Sequence, residues 1–308
     1  MKRARSRHRP GLRYAGVMWR TTFPLALVTL LNSNCGDSGS SGSSGTGAGT
    51  STSSSSGSGG ETGNSSSSGV LPTGPGDGDW ETAFTADPVG MNCSSTLAEL
   101  EAAGAAMIKR GAVTLVVGYE QLGQNQDPVL LRFDDGERTY CQYHEQEPPD
   151  GRAYGITWDG GPVAYVVYSI VGGGSAFDSL AAQGWIASYG DGGGSSKVMV
   201  LGSVDTASGS VQQATFVPAK RDNGSKTNTL GPAGPIVVLE DGSLEVVGNS
   251  AFAPLNPDKS GMCLPDVEYP SALDGARGPN FLGRLSPDLS TMVCASTAGC
   301  SNVTAPCE

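Results

Sequence analysis

Residues 236–250 read IVVLEDGSLEVVGNS. Two apolar runs flank Asp241-Gly242, and the second is centred on Val246-Val247. Asp-Gly between alternating apolar runs is a strong hairpin signal, because both residues tolerate the positive φ of a tight turn. The pattern occurs twice more, in ITWDGGPVAYVVYS (156–169), around Asp159-Gly160, and in MIKRGAVTLVVG (107–118), where Gly111 marks the turn. Val166-Val167 and Val116-Val117 match Val246-Val247.

A second hairpin type lies between these. VLLRFDDGERTYCQ (129–142), KVMVLGSVDTASGSVQQATF (197–216) and FLGRLSPDLSTMVCAS (281–296) each place Asp, Ser or Gly between two apolar strands. The two types alternate along the chain. The fold expected is therefore all-β, with about twelve antiparallel strands. Hairpin repeats of this kind bury their faces only by stacking or closing.

The run VLGSVDTASGSVQQATF followed by IVVLEDGSLEVVGNS resembles the bacterial β-propeller repeat family called SBBP. FLGRLSPDLSTMVCAS is similar to the first half of that repeat. The resemblance implies a propeller-like array. In such arrays the two chain ends share a blade, so residues near 281–296 are expected to pair with residues near 107–118. Disulfides from Cys93 to the C-terminal cysteines would fasten that closure. The spacing is irregular, with Val116 and Val166 being 50 apart and Val166 and Val246 being 80 apart. A threefold β-barrel or trefoil-like arrangement is the alternative.

Two insertions interrupt the strands. STLAELEAAGAA (95–106) has Thr96 and Glu99 at capping-box spacing and reads as a short helix. VGGGSAFDSLAAQGWIASYGDGGGSS (171–196) suggests a helical turn near Asp178 between two triple-glycine clusters.

The N-terminus is a different kind of sequence. MKRARSRHRPGLRYAGVMWR carries seven Lys and Arg and no acid, and FPLALVTLL (23–31) follows. A basic segment before a short apolar run reads as an export signal over 1–34. It is too short to span a bilayer, which needs about 20 apolar residues. The segment ends LLNSNC before GDSGSSGSSGTG. This resembles a bacterial lipoprotein signal, in which the cysteine, here Cys35, takes a lipid. The resemblance implies a membrane partner through that lipid. With Gly36 after the cysteine, it implies the outer membrane or cell surface. Residues 35–79 are almost wholly Ser, Gly and Thr, a composition that buries no core. Such a coil reaches roughly 35–40 Å and suits a tether, in the style of myxobacterial-type lipoproteins. Residues 80–308 remain as the β domain.

Seven cysteines are present. With Cys35 lipidated, Cys93, Cys141, Cys263, Cys294, Cys300 and Cys307 leave three disulfides of open pairing. No C-x2-C pair supports zinc. Without the leader's seven basic residues, thirty acids face twelve bases, a net of about −18. Such a surface repels nucleic acid.

His144 is the one histidine outside the leader. With Glu145 and Glu147 it forms the best candidate for a divalent metal site, or His144 for a general base. One histidine is a weak signal, and Pro148-Pro149-Asp150-Gly151 places the segment on a loop. The expectation is an exposed loop histidine, its pKa raised by the two glutamates, whose removal costs no more than about 0.5 kcal/mol. His144, Glu145, Glu147, Pro148, Tyr154, Gly155, Trp158, Asp159 and Gly160 also resemble a stretch of secreted bacterial proteins, a likeness that carries no activity. With no nucleophile elbow and no H-E-x-x-H in residues 80–308, the favoured class is a tethered, non-catalytic binding or structural module for a protein or glycan, without a cofactor. A metal-dependent hydrolase or lyase and a weak cation-binding surface are the alternatives.

Overall fold

All six hairpins read from the sequence form, and they group into three meanders. The computed structural model describes residues 79–146, 150–171, 176–188, 198–220, 226–227, 230–250, 252–263, 280–297 and 299–308. The expected export segment, Cys35, the expected tether before Asp79 and both triple-glycine clusters of the insertion lie outside the described residues.

The first meander is a four-stranded antiparallel sheet in the order β2 (Ala106–Arg110), β3 (Val113–Leu122), β4 (Asn125–Asp134), β5 (Glu137–Tyr143). The β4–β5 turn is Asp135-Gly136, with φ of 53° and 86°. Both values are positive, the demand of a two-residue turn that matches the strand twist.

The second meander runs β6 (Gly151–Trp158), β7 (Val163–Ile170), β8 (Val198–Asp205), β9 (Val211–Val217). The strand β1 (Glu81–Phe84) adds antiparallel to β6, with Glu81 opposite Trp158. The third runs β13 (Val237–Val238), β14 (Leu244–Ser250), β16 (Phe281–Leu285), β17 (Met292–Thr297). The strand β12 (Leu230–Pro232) pairs with β14 and touches β8 in parallel at Leu230 and Val198. That contact joins the second and third meanders into one ten-stranded sheet. A small sheet of β10 (Ala219–Lys220), β11 (Lys226–Thr227) and β15 (Ala253–Pro254) lies apart. The fold is thus all-β with short helices, its sheets are largely antiparallel, and none of those described closes on itself.

The apolar runs are continuous because the strands have cores on both faces. In β3 and β4, Leu115, Val117 and Leu130 enter the large core. Val116, Val129, Leu131 and Phe133 face a smaller core with Met91 and Leu100. The helix α1 (Leu97–Ala103) closes that smaller core by burying Leu100. Its capping box forms as read: Thr96 N–H donates to Glu99 Oε2 at 2.8 Å, and Glu99 N–H donates to Thr96 Oγ1 at 3.3 Å. Gly104, left-handed at φ 73°, ends the helix. The turn expected near Asp178 is α2 (Phe177–Leu180), which buries Phe177 in the large core.

Two expectations are overturned. Residues 107–118 pair with each other and with β4, not with 281–296. The outer edge of β17 is instead occupied by the chain's own end, since Ala295 N–H donates to Ala305 O at 2.9 Å. The disulfides follow this arrangement. They are Cys93–Cys141, Cys263–Cys300 and Cys294–Cys307, so Cys93 does not reach the C-terminus.

Two glycines separate backbone demand from packing demand. Gly136 needs positive φ, but a Cβ there meets open space. Gly209 needs φ 75°, and a Cβ there would lie 2.6 Å from the Tyr140 ring. Gly136→Ala should therefore cost only about 1 kcal/mol, the strain of the left-handed region. Gly209→Ala should cost at least about twice that, because overpacking is added. Urea unfolding of both variants checks the order; equal losses would show that the Tyr140 contact yields freely.

Candidate functional site

His144 follows directly on β5, whose last residue Tyr143 still pairs with Val129. The ladder runs one residue further, with His144 N–H donating to Pro128 O at 3.0 Å. This aims the imidazole into the large core rather than into water. His144 is 7% exposed, and Glu145 is 1% exposed. Both are loop residues, as read, but the expected exposure is wrong.

The ring's two nitrogens are both engaged. Nε2 lies 2.8 Å from the Gly209 carbonyl, and Nδ1 lies 2.7 Å from the Tyr168 hydroxyl. A carbonyl only accepts, so Nε2 carries the proton. Nδ1 is then the acceptor for the Tyr168 O–H. Tyr168 also packs on Phe177, with ring centroids 4.9 Å apart. Burial lowers the His144 pKa from its ordinary 6.5 to about 4, and the Gly209 carbonyl opposes this only in part. Burial holds the Tyr168 phenol well above its ordinary range. The pair is neutral on both sides at neutral pH. The expectation that the glutamates raise the histidine pKa is overturned, because desolvation outweighs every other influence on this ring.

Glu145 turns away from the imidazole in function: its Oε2 accepts the Ala176 N–H at 2.7 Å, just before α2. Glu147 lies outside the described residues. No group of three His, Cys, Asp or Glu side chains suited to a metal occurs among the described residues. A metal on the His144 ring would have to displace the Gly209 carbonyl or the Tyr168 hydroxyl.

What His144 does hold is the β8–β9 turn. Arg132 Nη1 donates to Thr206 O at 2.7 Å and Tyr140 O–H donates to the same oxygen at 3.2 Å. Arg132 is itself held by Asp134 Oδ1 at 2.9 Å. Three side chains from the first meander, Arg132, Tyr140 and His144, thus grip the turn of the second. Sequence reasoning singled out His144 but missed Tyr168 and Gly209. Strand alternation gave no sign of them, because β7 is buried on both faces.

Neither a protein-family model, nor a curated protein, nor a solved structure matches the chain.

The histidine generates a pH dependence. Below pH 6.5 the unfolded chain binds a proton at this residue, while the folded chain does not until about pH 4. Stability therefore falls as pH drops through that window, by roughly 3 kcal/mol from this group. His144→Gln should flatten the fall between pH 6.5 and 4 in urea titrations. His144→Ala should cost about 2–3 kcal/mol at neutral pH, since it strands the Tyr168 hydroxyl and the Gly209 carbonyl. A loss under about 0.5 kcal/mol would return His144 to the class of exposed residues.

Proposed function

We propose that the protein is an exported, lipid-tethered β module that displays a binding or structural surface, without catalysis by its histidine. The observation that carries the reading is the set of three disulfides. Their formation requires an oxidising compartment. They use all six cysteines of residues 80–308 and leave Cys35 over, which supports its assignment as the lipidated residue. The engaged, neutral imidazole supports the non-catalytic reading, since neither ring nitrogen is open to a substrate or metal.

The three meanders are read as propeller-like repeats. Each contributes one hairpin of each type, in the order in which the sequence alternates them. A module on a Ser/Gly tether of roughly 35–40 Å stands clear of an outer membrane and meets a protein or glycan partner there. Its acidic balance disfavours nucleic acid.

Membrane fractionation tests the tether. The wild-type chain should sediment with membranes and Cys35→Ser should be released in soluble form; a variant that still sediments counts against the lipid. Thiol labelling of the unfolded, non-reduced chain should find no free thiol among the six domain cysteines. Two or more labelled there would remove the argument for export.

A further inference from the structure

We propose that the peptide bond between Asp127 and Pro128 is a self-cleavage site, at which the buried Asp127 carboxyl attacks its own carbonyl carbon. The product is two chains held by a disulfide.

Asp127 lies in β4 and is 2% exposed. Its Oδ1 is buried with no hydrogen-bond partner. An unpaired carboxylate oxygen is costly to bury. Its directly opposed residue across the β3–β4 ladder is Glu120, a like charge. The Tyr143 hydroxyl donates to Glu120 Oε2 rather than to Asp127. Asp150 lies beside it, its Oδ1 accepting the Gln126 N–H at 3.0 Å. The nearby cation gives no direct relief. Arg152 directs Nε to Gln126 Oε1 at 2.6 Å and stacks its guanidinium 4.6 Å from the centre of the Tyr119 ring. Glu145, two residues beyond Tyr143, engages the Ala176 N–H. Burial first, then the charges of Glu120 and Asp150, raise the Asp127 pKa. The neutral acid, which carries the proton the reaction needs, is favoured accordingly.

The scissile bond is also prepared. Pro128 O accepts the His144 N–H on the β5 side. On the far side of β3, the Tyr119 backbone bonds to residues 89 and 91. Alternation along both strands therefore turns the Asp127 carbonyl and the Glu120 N–H towards each other. That donor polarises the carbonyl under attack. Pro128 is itself buried and pressed on Gly151, where a Cβ would lie 3.0 Å from Pro128 Cδ.

The chemistry balances as a hydrolysis. The carboxyl oxygen bonds to the Asp127 carbonyl carbon, and the carboxyl proton passes to the Pro128 nitrogen. The carbon–nitrogen bond breaks, leaving a five-membered cyclic anhydride on Asp127 and a free amine on Pro128. One water opens the anhydride to give Asp127 a new α-carboxylate. A tertiary-amide nitrogen is a better proton acceptor than an ordinary peptide nitrogen, so proline is the suited leaving group. Cys93–Cys141 spans the cut, and the two pieces stay joined.

The chain contains its own control. Asp87 also precedes a proline, Pro88, but Asp87 is exposed. The full-length folded protein is held for days at about pH 5, then reduced and weighed by mass spectrometry. The expected result is one fragment ending at Asp127 and one beginning at Pro128, which run together without reductant. Cleavage there should be at least about tenfold faster than at Asp87–Pro88, reflecting the folded site's orientation of the carboxyl. It should vanish in Asp127→Ala and slow in Glu120→Gln at the same pH. An intact 127–128 bond overturns the proposal. So does an equal rate at Asp87–Pro88, or an equal rate in the guanidinium-unfolded wild-type chain.

Discussion

The turn at Asp205–Ser210 is the part on which the arrangement of the first two meanders depends. Its own hydrogen bonds shape it: Asp205 Oδ1 accepts from Ala207 and Ser208 N–H at 2.7 and 2.9 Å. Its outward carbonyls are then spent on another sheet, Thr206 O on Arg132 and Tyr140, and Gly209 O on His144. Buried carbonyls are costly to leave unmet. A polar turn thereby enters a buried joint with these carbonyls hydrogen-bonded, which offsets their desolvation. The histidine is neutral there because burial penalises its charged form.

Two of the three disulfides tie a segment outside the strands to a paired strand. Cys93 precedes α1 in a segment with little sheet pairing, and its bond to Cys141 ties that segment to β5. Cys294–Cys307 holds the final residues against β17, an edge strand whose free groups would otherwise invite another chain. Each such bridge contributes about 2–4 kcal/mol, mainly through the unfolded state. The ten-stranded sheet carries its stability in apolar contacts instead. In β7 and β8, residues such as Val166, Tyr168, Val200 and Leu201 are wholly buried or nearly so.

The strands were legible because their signals are local. Asp135-Gly136, Gly160 and Gly242 take the positive φ that their turns require, and Thr96 with Glu99 forms the cap their spacing foretells. The wiring between hairpins was not legible. The parallel contact of Leu230 with Val198 and the occupation of the β17 edge by Ala305 depend on groups far apart in the chain. His144 shows the same limit at one residue. Its neighbours Glu145 and Pro148 announce a polar loop, whereas its surroundings are supplied by residues 168 and 209. Asp127-Pro128 can be read in the sequence as a dipeptide, but its burial cannot.

The C-terminal cysteines have a further consequence, for how the molecule is made. Cys294, Cys300 and Cys307 fall within one short stretch, yet Cys300 bonds back to Cys263 across 37 residues, while Cys294 and Cys307 close over 13. The two bridges interleave in sequence. Short loops close with less entropy loss than long ones, so in a reduced chain the pairings Cys294–Cys300 and Cys300–Cys307 compete with the native Cys263–Cys300. Each of those pairings withholds Cys300 from Cys263. Wherever such a pairing forms first, the native bridges are reached only by thiol–disulfide exchange, with a thiolate displacing the premature bond.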